Sequence, residues 1–123
     1  SVKTLDQLCL VTDAMRAKCM PDGEYDLGGQ TVTVANDSAR LSGGTLAGSI
    51  LTMQKALKNL VTLNLCSLSD ITHFTAINPA KQLGIFGHKG SIAIGKDADL
   101  VVLDEQYNIH QTFCLGKVSF QSG

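Results

Sequence analysis

No run of this sequence is long and apolar enough to cross a bilayer as a helix, which takes roughly 18 consecutive apolar residues. Residues 1–7 are polar and lack the apolar stretch of a secretory leader. Basic excess is missing too. Ten Lys and Arg stand against eleven Asp and Glu, for a net charge of −1, so the electrostatic footprint of a nucleic-acid binder is absent. Cys9, Cys19, Cys66 and Cys114 are far apart and form no C-x-x-C pair, which argues against a zinc cluster. Two disulfides would suit a shorter, loop-rich secreted chain. Free structural thiols in a reducing compartment are expected instead. The histidines, His73, His88 and His110, form neither His-x-His nor H-E-x-x-H. With 44% hydrophobic and 17% charged residues, the 123-residue chain has a globular composition, enough for one domain or a large piece of a bigger one.

The run Leu8-Cys9-Leu10-Val11 predicts a short strand buried on both faces, as in parallel sheets and barrels, with Asp13 at its C-terminal end. Pro21-Asp22-Gly23 is turn chemistry. Tyr25-Asp26-Leu27 and the β-branched stretch around Thr31-Val32-Thr33-Val34 predict strands on either side of Gly28-Gly29. With Ala39-Arg40-Leu41 after Asn36-Asp37, they make a hairpin or meander. Residues 42–49 read as a glycine-rich loop. Gly43 and Gly48-Ser49 have phosphate-loop spacing, but the Lys that should follow the second glycine is absent, so a nucleotide P-loop is a poor reading. Ile50, Met53, Leu57, Leu60 and Val61 share one face of a helix. Ser67 to Asp70 is a capping box opening a second helix. Asn78-Pro79 predicts an interruption, with Asn78 capping a short helix that stops at Gly84. Residues 91–94, 100–103, 109–115 and 117–120 read as four strands.

One parallel-type strand cannot make a sheet, and the helices carry apolar faces that need one. The fold class predicted is α/β: the last βα unit of a (β/α)8 barrel in residues 1–87 (strand, β-hairpin, helices), followed in residues 88–123 by strands of a small β domain.

Several motifs carry a resemblance. They are Leu10-Val11-Thr12-Asp13-Ala14-Met15, the stretch from Pro21 to Gly29, Gly44-Thr45-Leu46-Ala47-Gly48-Ser49, Asn78-Pro79-Ala80, and the stretch from Gly90 to Val102. In this order they resemble the C-terminal third of the N-acetylglucosamine-6-phosphate deacetylase family, within the amidohydrolase superfamily. The last two motifs name only the superfamily. The first three together narrow it to the deacetylases.

The resemblance implies a metal-dependent hydrolase barrel with a small β-sandwich, removing acetate from N-acetylglucosamine 6-phosphate to leave glucosamine 6-phosphate. It matches Asp13 to the family's general acid/base; from residue chemistry alone, Asp13 is an Asp capping the following turn. It matches Leu46, Ala47 and Gly48 to a segment lining the sugar pocket; the residues alone read as a tight entry to a helix. Arg16 and Lys18 are either attractors of the sugar phosphate or part of a solvated loop. The divalent metal of the full-length enzyme, zinc or iron, takes its ligands from earlier barrel strands. No metal ligand is assigned here, and no metal is expected on this chain alone, which is then inactive by itself. The resemblance further implies a cytoplasmic enzyme of amino-sugar metabolism acting as a homodimer, with neither membrane nor nucleic-acid partners. Two other readings stand beside it: a dihydroorotase-like or deaminase-like amidohydrolase sharing only the tail motifs, and a non-catalytic truncated module that self-associates.

Overall fold

A computed structural model describes residues 4–123. The chain divides into two compact units, one formed by Val11–Ala56, the other by the residues up to Leu10 together with Leu57–Gly123.

In Val11–Ala56 the strands β1 (Gly23–Leu27), β2 (Gln30–Ala35), β3 (Ser38–Leu41) and β4 (Leu46–Gly48) form an antiparallel sheet in chain order. Leu27 pairs with Gln30, leaving a two-residue turn in which Gly28 and Gly29 have φ of 62° and 85°. Ala35 pairs with Ser38, and Asn36 and Asp37 take φ of 49° and 59°. Both turns thus have the positive φ pair whose twist matches that of the strands. Period-two alternation then decides the faces. Thr31 and Thr33 look to solvent, while Val32 and Val34 are buried with Ala39, Met15 and Ala17 as the unit's core. The expected glycine-rich loop is shorter than its sequence suggested, because Leu46, Ala47 and Gly48 pair with β3 as β4.

Leu8 to Val11 do not form the expected strand. They run without regular structure, and Leu8, Cys9 and Val11 are exposed. A strand exists only through its ladder partners. Among the described residues Leu8 to Val11 have no such partner; the nearest pairing is the parallel bridge between Ala14 and Ser49, three residues further on.

Helix α1 (Met53–Thr62) begins later than its apolar face suggested. Thr52 sets its start: Oγ1 accepts the Lys55 N–H at 3.1 Å and its carbonyl accepts that of Ala56.

In the second unit, α2 (Leu68–Thr72) opens with the predicted capping box. Asp70 accepts the Ser67 N–H at 2.9 Å, and these bonds hold its carboxyl below the usual range. The break expected at Asn78 does not occur. A π-helical turn, His73–Ile77, carries the helix straight into α3 (Asn78–Gln82). Asn78 is helical and buried, and its N–H bonds to the His73 carbonyl. Pro79 cannot bond to the preceding turn and its ring crowds it. Widening that turn to π spacing accommodates both. The helix ends as predicted: Gly84 has φ +70°, its N–H bonds to Lys81, and that of Ile85 to Ala80, a Schellman closure.

Of the four late strands expected, three form: β5 (Leu100–Leu103), β6 (Ile109–Cys114) and β7 (Lys117–Gln121), an antiparallel sheet in that order. Residues 91–94 are irregular, with Ile92 and Ile94 almost fully exposed. Side chains hold the surrounding loop instead. Lys89 bridges Asp97 at 2.9 Å and Asp99, while Lys96 donates to the carbonyls of Phe86 and Lys89 and sits 3.6 Å above the Phe86 ring.

The four cysteines are free. Free thiols were the expectation; Cys9, Cys19 and Cys114 are exposed and Cys66 is half-buried.

Candidate active site

Asp13 follows the irregular segment and takes the left-handed conformation, φ +48°. Side-chain-bearing residues adopt it sparingly, though Asp does so more readily than most. Immediately afterwards the chain is fixed again: the Met15 N–H donates to the Ser49 carbonyl at 2.8 Å, beside the Ala14–Ser49 bridge. Ser49 follows β4 directly. One parallel bridge therefore brings the residue predicted to move protons beside the strand predicted to meet the sugar.

The two sets of residues line one cleft of about 730 Å³ within Val11–Ala56. Asp13 stands in its wall with Leu46, Ala47 and Gly48. The backbone of Gly48 is extended there. A Cβ added to it would meet Met15 Cβ at 3.6 Å, an ordinary contact, so close packing is not what calls for glycine.

The sequence reading missed Asp22, Asp37 and Lys55, which also line the cleft. Lys55 Nζ pairs with Asp37 at 2.5 Å. Asp37 arrives through the second hairpin turn and Lys55 through the first turn of α1. Only the register of the meander and the start of the helix relate them, so no local signal marks them. Cys19 lines the cleft as well. Arg16 is committed elsewhere: its guanidinium bonds to the Asp26 carboxylate at 2.7 Å and the Asp26 carbonyl at 2.8 Å. Lys18 is exposed and Arg16 does not line the cleft.

His73, His88 and His110 belong to the other unit: the π turn, a loop and β6. Among the described residues, no three His, Cys, Asp or Glu side chains gather where they could hold a metal. The donors present do not fit a resident metal ion by themselves.

The amidohydrolase family model matches residues 15–119. The N-acetylglucosamine-6-phosphate deacetylase of Bacillus subtilis strain 168 is 48% identical over 120 residues, covering 98% of this chain and 30% of that protein. The crystal structure of N-acetylglucosamine-6-phosphate deacetylase from Thermotoga maritima superposes with a TM-score of 0.89 at 39% identity, over 98% of this chain and 33% of that one. A mutant of the Mycobacterium smegmatis enzyme, solved in complex with N-acetyl-D-glucosamine-6-phosphate, gives 0.84 at 33% identity, over 94% of this chain and 31% of that one. The chain thus spans about a third of the length of each of these relatives.

Proposed function

The chain belongs to the amidohydrolase family, and from that premise we propose that it is the C-terminal third of an N-acetylglucosamine-6-phosphate deacetylase. The observation that carries this reading is the single cleft lined by Asp13 and by Leu46, Ala47 and Gly48. Asp13 is the proton carrier and β4 the wall against which the sugar rests.

The chemistry asks two things of one carboxylate. As water attacks the acetamide carbonyl carbon, a proton passes from the water to Asp13. The carboxylic acid then returns that proton to the amide nitrogen as the C–N bond breaks, releasing acetate and leaving glucosamine 6-phosphate. A side chain on a fixed turn beside the sugar wall can serve both atoms without large movement. The family is generally metal-dependent. A zinc or iron ion of the full-length enzyme draws its ligands from outside the residues described here. Residues 1–87 then close the barrel, and residues 88–123 belong to the small β-sandwich. No described helix is long and apolar enough to cross a membrane. A cytoplasmic homodimer of amino-sugar metabolism completes the proposal.

The test is acetate release from N-acetylglucosamine 6-phosphate, by the full-length enzyme and by this chain with added Zn²⁺ or Fe²⁺. Turnover is expected from the first and none from the second. In the full-length enzyme, Asp13→Asn should lower kcat by about 10³-fold or more, with KM nearly unchanged, as loss of a general acid/base does. Unchanged turnover removes Asp13 from the mechanism. A panel with the N-acetylgalactosamine epimer, a dihydroorotate and a nucleobase separates this reading from another amidohydrolase activity.

A further inference from the structure

We propose that Ser49 is a positioning residue for the reaction, its hydroxyl fixing the peptide carbonyl that holds the chain just after Asp13. The proposal rests on the reading of Asp13 as the proton carrier. Every residue it uses lies within Val11–Ala56.

Asp13 needs such an anchor. Its φ of +48° is one that a side-chain-bearing residue keeps only where the surrounding structure enforces it. Its side chain is exposed, and among the described residues no hydrogen bond or ion pair holds its carboxylate. The direction of that carboxylate is therefore set by the backbone on either side. Val11 and Thr12, before it, belong to no strand. The residues after it are fixed. The Met15 N–H donates to the Ser49 carbonyl at 2.8 Å, Ala14 bridges Ser49, and Met15 and Ala17 are buried in the core of the unit.

Ser49 thus holds the exit of the Asp13 turn, and its own carbonyl must be held in turn. It follows β4, and Ile50, Leu51 and Thr52 have no regular structure before α1 begins at Met53. Here the side chain acts. Half-buried Ser49 accepts the Leu51 N–H on Oγ at 2.9 Å. This bond closes a ring around the peptide that joins Ser49 to Ile50, the peptide whose oxygen receives the Met15 N–H. A peptide group is planar, so fixing its plane fixes where its oxygen points. Alanine at this position could not accept the bond and would leave the plane free to turn. Ser49 also lines the cleft, so direct contact with the sugar is the rival role that the experiment separates.

The experiment uses the longer protein proposed above with Ser49→Ala, Ser49→Thr and Ser49→Cys. Threonine keeps the hydroxyl, whereas the cysteine thiol accepts only weakly. Three readouts are taken: kcat, KM, and hydrogen exchange at the Met15 and Leu51 amides. Ser49→Ala should speed exchange at both amides and lower kcat about 10-fold, with KM within about twofold, because a small misplacement of a catalytic group slows the chemical step. Ser49→Thr should return kcat and exchange to within about twofold of the wild type, since its hydroxyl can accept the same bond. Faster exchange with unchanged kcat overturns the proposal, because the bond is then structural only. So does unchanged Met15 exchange, or a threonine variant as slow as the alanine one. An effect confined to KM overturns it as well, and makes the hydroxyl a contact to the sugar. Should Ser49→Ala fail to fold, the same readouts on Ser49→Cys decide. Full turnover by Asp13→Asn, with Met15 exchange still faster in Ser49→Ala, marks the failure of the Asp13 reading itself, separately from the anchor.

Discussion

The two units bury their apolar residues very differently. In Val11–Ala56, the inward residues of β2 and β3 close on Met15 and Ala17, and Val32 and Ala39 are fully buried. In the three-stranded sheet of the other unit no residue is fully buried, β7 is exposed at every position, and Val101, Val118 and Phe120 face solvent. Both sheets are antiparallel meanders of ordinary strand formers. The difference is what each strand can reach. The first sheet meets its covering residues within about twenty residues of chain. The second leaves Val101, Val118 and Phe120 without cover among the described residues. The candidate site therefore stands on the unit that completes its own core.

Three substitutions and a pH scan probe this contrast, from the largest expected effect to the smallest. Gly90 has φ +82°, and a Cβ there would lie 2.6 Å from Ala80 Cβ and 2.9 Å from the Ala76 carbonyl oxygen. Gly90→Ala should destabilise the chain by about 3 kcal/mol in urea unfolding, through strain and overpacking together. A loss under about 1 kcal/mol would mean that this corner gives way easily. Val32→Ala should cost about 2 kcal/mol, because two buried methyl groups vanish from a closed core. Phe120→Ala in the same chain should cost less than about 0.5 kcal/mol, as exposed positions do. Equal costs for these two variants would erase the distinction between the sheets. In the longer protein proposed above, a Phe120→Ala penalty that rises above its value in the chain would show that the exposed face is covered there.

The smallest effect is electrostatic. Bonds from Lys89 and the Leu115 N–H hold the Asp99 carboxyl below its ordinary value, and those from Asn108 do the same for Asp104. The stability they lend is present above the unfolded value near 3.8 and is lost as pH falls through the lower folded values. Lys89 is shifted upward by Asp99 and Asp97, so its share is present below 10.5 and disappears as pH rises through its folded value. Amide exchange in β5 and β6 should quicken below about pH 4, ahead of β2. Simultaneous loss of both sheets would assign acid sensitivity to the whole chain.

The sequence by itself determined whatever local chemistry decides. The Gly28-Gly29 and Asn36-Asp37 turns tolerate positive φ, alternation sorts the faces of β2, Ser67 and Asp70 cap each other, and Gly84 ends a helix. Its motifs also led to the amidohydrolase family; Asp13, Leu46, Ala47 and Gly48 line one cleft, and their roles there belong to the proposal. Tertiary structure decided the rest, because a partner distant in sequence leaves no local mark. Leu8 to Val11 look like a buried strand, but a strand is made by its neighbours. Asn78-Pro79 looks like a cap, yet a π turn upstream absorbs the proline and frees the amide to donate to the carbonyls of Leu5 and Leu8. Lys55 and Asp37 enter the cleft through helix phase and hairpin register. A short segment can specify its own turns and faces, but only the folded chain can supply a strand with a neighbour, an amide with carbonyls across the sequence, or a lysine with its carboxylate.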